Sequence, residues 1–206
     1  MKMMPWDQRI ARVLVRPFIN TPVSPNHFTT LSLICGVGGA LPLATGDAGN
    51  ANWGVGLFML ARFLDHFDGE LARGANKRSR FGYYYDYVTG GVCYAALFLC
   101  MGIGFADSAL GGWSIALGIA GAAAAIGSMF LNLGIDESTV YEGDQDAVGY
   151  PGYAGFELED GIYLLGPIAW AGYLMPFFVS AGIGAGFYCL WSLAMLLRAR
   201  AHRASA

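Results

Sequence analysis

Long apolar stretches alternate with short polar segments along the chain and indicate helices that cross a membrane. The stretches lie at residues 26–45, 51–73, 81–105, 113–133 and 161–197. About 20 apolar residues cross ~30 Å of hydrocarbon, and the last stretch is long enough for two crossings. We place its break near residues 172–175, with Pro176 starting the final helix. The pattern therefore predicts an all-α integral membrane protein with six transmembrane helices.

A shorter amphipathic pattern precedes the first stretch. Trp6, Ile10, Val13 and Leu14 recur at helical spacing, and arginines occupy the other faces. A helix that lies in the interface near anionic headgroups has this pattern. The segment has no long apolar core and no small-residue cleavage site, so a signal peptide is not expected. We predict an N-terminal interfacial amphipathic helix within a juxtamembrane region, residues 1–25; the alternative is a frayed basic tail.

Composition supports the membrane assignment and excludes other classes. The chain has 206 residues, of which 55% are hydrophobic and 13% charged, and its mean hydropathy is +0.46. Such a chain is too apolar for an ordinary soluble domain. Basic residues occur in a few blocks, so no continuous basic stripe is available to nucleic acid. The four cysteines sit in apolar runs without metal-ligand spacing and are expected to be buried thiols.

The distribution of lysine and arginine predicts the topology. With six spans, the basic blocks at residues 2–16, 73–80 and 198–203 fall on one side, and the opposite links contain no lysine or arginine. The positive-inside rule makes that side cytoplasmic. We expect one multi-pass domain, 1–206, in the inner membrane if the cell is bacterial. Both termini and an acidic, glycine-rich loop at 134–160 would be cytoplasmic.

Three carboxylates stand at ordered spacings where the second and third apolar stretches meet. Asp65 and Asp68 are three residues apart, so they share one face of a helix, and Asp86 comes from the next helix. Oxygen ligands of this kind suit a hard divalent cation, Mg²⁺ or Mn²⁺. Charges here would be costly against lipid, so they should face a polar cavity or one another. His66 points away from this face and is expected to hydrogen-bond in a helix interface.

The spacing of these residues resembles the signature of the CDP-alcohol phosphotransferase (CDP-alcohol phosphatidyltransferase) family. Seven of its eight fixed positions match: Asp65, Asp68, Gly69, Ala72, Arg73, Gly82 and Asp86. The eighth position, an aspartate in the family, is Gly90 here. Asn26 and Thr29 are similar to the family's Pro-Asn-x2-Thr opening, although either residue could simply cap its helix.

The resemblance implies a chemistry. A phospho-alcohol (phosphatidyl-type) group would pass from a CDP-linked donor, CDP-diacylglycerol or a CDP-alcohol, to a hydroxyl acceptor with release of CMP, in phospholipid biosynthesis. The metal would be held by Asp65, Asp68 and Asp86. The donor would be held by Gly69, Ala72, Arg73, Gly82, Asn26 and Thr29, of which the small residues could instead serve helix packing. A homodimer is a further implication.

Gly90 removes the carboxylate that the family is thought to use as general base. Glu159 and Asp160 could replace it, although acids also favour helix starts, or Asp86 itself could serve. Alternatively, the chain binds or slowly hydrolyses a CDP-linked lipid or nucleotide without transfer. An ion-coupled carrier is the remaining hypothesis, and the clustering of the acids at one membrane edge disfavours it.

Overall fold

A computed structural model describes residues 5–139, 152–153 and 156–204 of the protein. The helices, in chain order, are α1 (Trp6–Leu14), α2 (Pro25–Ala40), α3 (Ala48–Gly74), α4 (Arg80–Gly104), α5 (Gly112–Thr139), α6 (Leu165–Trp170) and α7 (Leu174–Ala204). Shorter 3₁₀ segments are found at Arg16–Phe18, Leu41–Thr45 and Leu158–Leu164. Two short strands, β1 (Gly152–Tyr153) and β2 (Phe156–Glu157), pair antiparallel.

The fold is that of an all-helical, multi-pass membrane protein. Within the described ranges, four helical segments are long and apolar enough to cross a membrane: Pro25–Thr45, Arg80–Gly104, Gly112–Asp136 and Leu174–Ala201. The six predicted spans are not confirmed. The apolar helical segment Gly161–Trp170 is shorter than 18 residues, about half of what a crossing needs. The 27-residue helix α3 is not among these segments, and its second half carries Arg62, Asp65, Asp68, Glu70 and Arg73.

Two helix boundaries in the structure differ from the predicted ones. Helix α5 continues to Thr139, so residues 134–139 of the predicted acidic loop are helical. The physical reason is that Asp136 is buried and accepts hydrogen bonds from α4, which allows a helix to continue through an acidic stretch. Residues 140–151 and 154–155 of that predicted loop lie outside the described part of the chain. The final helix begins at Leu174, two residues before Pro176. It follows a turn in which Gly172 has a φ of 82°, a value that favours glycine.

Helix α2 lies between α3 and α4 and approaches both closely. A Cβ on Gly39 would lie 2.6 Å from the backbone N of Phe58 in α3, and one on Gly36 would lie 2.4 Å from Sγ of Cys93 in α4. Small residues therefore bring three helices together, as in other membrane proteins. All four cysteines are free thiols; Cys93 and Cys100 are buried as predicted, whereas Cys35 and Cys189 are only partly buried.

Helix α1 docks onto α3; it buries Asp7 and Ala11 and exposes its large apolar side chains. Asp7 is buried, and its Oδ2 lies 2.6 Å from Nε2 of His66 in α3 and accepts a hydrogen bond from the Tyr163 hydroxyl at 3.2 Å. His66 thus takes the helix-interface role predicted for it. The apolar side chains named for the interfacial face are all exposed: Trp6, Ile10, Val13 and Leu14.

Candidate functional site

The two acids of α3 share one face, as their three-residue spacing predicts, and the structure turns this face towards α2. Asp65 Oδ2 accepts a hydrogen bond from Arg62 Nη1 at 3.0 Å, and its Oδ1 accepts one from Ser32 Oγ at 3.4 Å. Asp68 Oδ2 accepts from the Thr29 hydroxyl at 2.5 Å, and its Oδ1 accepts from the backbone N–H of Gly69 at 2.5 Å. Hydrogen bonds therefore hold both carboxylates beside the α2 surface, and the positive charge of Arg62 further stabilises that of Asp65.

Thr29 hydrogen-bonds to Asp68 and does not cap α2. The N-cap residue of α2 is Ser24, which places Thr29 in the second turn, where it is 1% exposed. The alternative that Asn26 or Thr29 caps the helix is therefore wrong. A hydroxyl buried at this depth needs a partner, and Asp68 supplies it.

Gly82 and Asn26 meet where α4 begins. Ser79 caps α4 by accepting the Gly82 N–H at 3.0 Å, and this fixes the first turn against α2. A Cβ on Gly82 would lie 2.9 Å from Asn26 Oδ1 and 3.0 Å from Ser79 Oγ. The structure therefore brings together two residues predicted to hold the donor, one from each helix, and a side chain at Gly82 would displace the Asn26 amide.

Arg73 is held beside Gly69 at the end of α3. Its Nη2 donates to Glu70 Oε1 at 2.6 Å, and its guanidinium lies 3.3 Å from the position of a Cβ on Gly69. Glu70 is 3% exposed and also accepts from Arg12 Nε in α1 at 2.9 Å. The charges of this helix thus pair with one another, as predicted. The Arg73 side chain remains 37% exposed and can reach a phosphate. Ala72 is partly buried beside it.

Asp86 and Gly90 lie on successive turns of α4. Asp86 is partly buried, four residues after Gly82, and the position of a Cβ on Gly90 has no atom within 4 Å. Among the residues that the structure describes, no group of three or more His, Cys, Asp or Glu side chains is arranged to hold a metal ion. The assignment of a metal to Asp65, Asp68 and Asp86 therefore stays a prediction.

For the other two candidate bases the structure describes only the backbone. The backbone of Glu159 and Asp160 belongs to the 3₁₀ segment Leu158–Leu164. Their side chains lie outside the described part of the chain, so their assignment also stays a prediction.

Sequence reasoning missed a buried carboxylate next to the signature. Asp136 of α5 is 1% exposed, and its Oδ2 accepts hydrogen bonds from the hydroxyls of Tyr87 and, at 3.2 Å, Tyr83. The two tyrosines flank Asp86 in α4. The four-residue spacing of Tyr83 and Tyr87 was the available signal in the sequence. Asp136, however, lies in a stretch that was predicted to be a loop, so nothing suggested that it contacts these tyrosines.

Comparison with known proteins identifies the family. A family model described as CDP-alcohol phosphatidyltransferase matches residues 22–141. The fold is similar to the crystal structure of Mycobacterium tuberculosis phosphatidylinositol phosphate synthase with CDP-DAG bound, with a TM-score of 0.63 and 16% sequence identity over 92% of this chain and 91% of that chain. A comparison with curated proteins found no match. Because the family model covers more than half of the sequence, including every matched signature residue, the chain belongs to the CDP-alcohol phosphatidyltransferase family.

Proposed function

We propose that this protein transfers a phospho-alcohol group of the phosphatidyl type from a CDP-linked donor to a hydroxyl acceptor, with release of CMP, in phospholipid biosynthesis. One observation carries the proposal: the Thr29 hydroxyl of α2 is bonded to Asp68 of α3 at 2.5 Å. It joins the short opening motif of the family to its main signature. The approach of Asn26 to Gly82 joins the same motif to α4.

A divalent metal, Mg²⁺ or Mn²⁺, is part of the proposal. The donor set fits it, because Asp65, Asp68 and Asp86 offer only hard carboxylate oxygens. These three residues would hold the ion. When bound, it would neutralise the diphosphate of the donor and stabilise negative charge on the departing CMP.

The chain's own residues would bind and orient the donor. Asn26 presents its amide oxygen beside Gly82, and the absence of a side chain there lets a ligand approach the backbone of α4. Arg73 offers a planar cation at the partly open end of α3. The similar solved structure has CDP-DAG bound, and this supports a CDP-linked lipid as the donor here.

The membrane placement completes the proposal. The exposed apolar side chains of α1 would rest in the interface of the leaflet that supplies the lipid. The basic residues near both termini and between α3 and α4 support a cytoplasmic site. The proposal includes a homodimer of this protein, as the family resemblance implies.

A second candidate function follows from Gly90. The open space beside it leaves the family's base position empty, which favours a protein that binds or slowly hydrolyses a CDP-linked lipid without transfer. The substitution Gly90→Asp separates the two functions. It should greatly raise transfer in a degenerate enzyme, whereas an enzyme adapted to glycine should gain nothing.

The test is an assay of CMP release. Purified protein with Mg²⁺ or Mn²⁺ should be given labelled CDP-diacylglycerol or soluble CDP-alcohols. Each donor should be tested with and without inositol phosphate, glycerol phosphate, serine and other amino alcohols. Acceptor-dependent CMP release supports transfer. Slow, acceptor-independent release supports hydrolysis. No release with any pair contradicts transfer and hydrolysis, and binding of CDP-diacylglycerol without release then supports a binding function.

A further inference from the structure

We propose that Asp136 of α5, acting through Tyr87 of α4, accepts the proton of the acceptor hydroxyl in place of the carboxylate that the family has at position 90. The inference rests on the proposed transfer function. It assigns residues to the removal of the acceptor proton, for which the family signature has no carboxylate in this chain. Asp136 would be a positioning and proton-accepting residue, and Tyr87 would be the group that touches the acceptor hydroxyl.

The first argument is the position of the carboxylate. Asp136 is 1% exposed, which is costly for an acid without compensating hydrogen bonds. Two tyrosine hydroxyls, those of Tyr83 and Tyr87, both donate to its Oδ2. These residues are four apart in α4 and flank Asp86. Asp136 of α5 is therefore held against α4, the helix that carries Asp86.

The second argument is the shape of the α4 surface. Gly90 is four residues after Asp86 and three after Tyr87, so it neighbours each of them on the surface of α4. Asp86 and Tyr87 themselves are consecutive and point about 100° apart. No atom comes within 4 Å of the position of a Cβ on Gly90. A family aspartate would project into that space. With glycine there, an acceptor hydroxyl would approach Tyr87, which is partly buried and lies one helical turn before Gly90.

The third argument is the chemistry of the pair. A tyrosine that donates to a carboxylate keeps its oxygen lone pairs available, so its Oη can accept a proton as it gives one up. The acceptor O–H proton would pass to Tyr87 Oη while the tyrosine proton passes to Asp136 Oδ2. The acceptor oxygen forms the new bond to the phosphorus that carries the alcohol group. The bond from that phosphorus to the CMP oxygen breaks, and its electron pair leaves with CMP.

The test compares three variants in the full-length protein. Asp136→Asn keeps an oxygen that can accept from Tyr87 but removes the base, and Tyr87→Phe removes the relay. We expect each to lower kcat for acceptor-dependent CMP release about 100-fold. KM for the donor and the binding of CDP-diacylglycerol in Mg²⁺ should change less than about threefold. Tyr85→Phe is the matched control, because the Tyr85 hydroxyl contacts the exposed Thr30 instead, and it should retain wild-type kcat.

The decisive variant restores the family acid. In the double variant Asp136→Asn with Gly90→Asp, the new carboxylate enters the open space, and kcat should recover at least tenfold over Asp136→Asn alone. A merely structural role for Asp136 predicts no such recovery. If Asp136→Asn does not fold, Tyr87→Phe with and without Gly90→Asp gives the same comparison.

The outcomes separate the two proposals. An active wild type whose Asp136→Asn and Tyr87→Phe variants keep full kcat overturns this inference and leaves the proposed transfer intact. Loss of activity that Gly90→Asp cannot restore, accompanied by lost donor binding, also overturns it in favour of a structural role. A wild type that releases no CMP with any donor and acceptor overturns the proposed function and this inference with it.

Discussion

The hydroxyl of Thr29 in α2 donates to Asp68 in α3 at 2.5 Å, and both side chains are at least nine-tenths buried. This bond fixes one signature acid against the neighbouring helix. Removing the hydroxyl leaves a buried carboxylate oxygen without its donor, a loss worth about 1–3 kcal/mol.

We therefore expect Thr29→Val to lower the free energy of unfolding by about that amount and to reduce CMP release at least tenfold. Thr29→Ser keeps the hydroxyl and should retain most of the activity. Thr30→Val is the control, because Thr30 is exposed on the same helix. Equal effects of Thr29→Val and Thr30→Val would contradict the assignment of Thr29 to the site. Thermal unfolding in detergent and the CMP assay measure both quantities.

Gly82→Ala and Gly90→Ala form a second matched pair in α4. A Cβ at Gly82 would press on the Asn26 amide at 2.9 Å, whereas one at Gly90 would meet nothing within 4 Å. Alanine favours helix over glycine by up to about 1 kcal/mol, so neither variant should unfold the protein. Gly82→Ala should weaken binding of CDP-diacylglycerol about tenfold or more, because the amide is displaced. Unchanged binding in Gly82→Ala, measured by calorimetry, would remove Asn26 and Gly82 from the donor site.

The docking of α1 should resist mild acid. Burial alone would raise the pKa of Asp7, but the hydrogen bond and charge of His66, with bonds from Gln8 and Tyr163, lower that pKa below its ordinary value. A carboxylate with a depressed folded pKa contributes stability above its unfolded pKa, about 3.9, and loses it as the pH falls through the folded value.

The contribution of Asp7 to the protection of the α1 amides from hydrogen–deuterium exchange should therefore stay constant from pH 7 to about 4. It should fall only below that pH. In Asp7→Asn the protection should be weaker at pH 7, and the acid-induced loss should be absent. Detachment of wild-type α1 near pH 5 would show that Asp7 does not carry the contact.

Some of this architecture was predictable because it depends on short-range physics. Long apolar stretches gave α2, α4 and α5 within a few residues at most ends, and the charges of α3 paired with one another as expected for acids near lipid. The three-residue spacing of Asp65 and Asp68 placed both on the α2 side.

Other features depend on contacts that spacing does not contain. The acidic stretch after residue 133 resembled a loop, yet Asp136 continues α5 because tyrosines 49 and 53 positions away satisfy its carboxylate. The predicted fifth span is not confirmed. Residues Leu158–Leu164 form a 3₁₀ segment and α6 is only six residues long, and hydropathy alone does not distinguish such a segment from a continuous helix.

The most direct measurement is CMP release from CDP-diacylglycerol by the purified protein, with Mg²⁺ and after its removal by a chelator. We expect acceptor-dependent CMP release, which the chelator abolishes and added Mg²⁺ or Mn²⁺ restores. Each of the variants Asp65→Asn, Asp68→Asn and Asp86→Asn should eliminate this release. Release that persists in the chelator, or in all three variants, would contradict it.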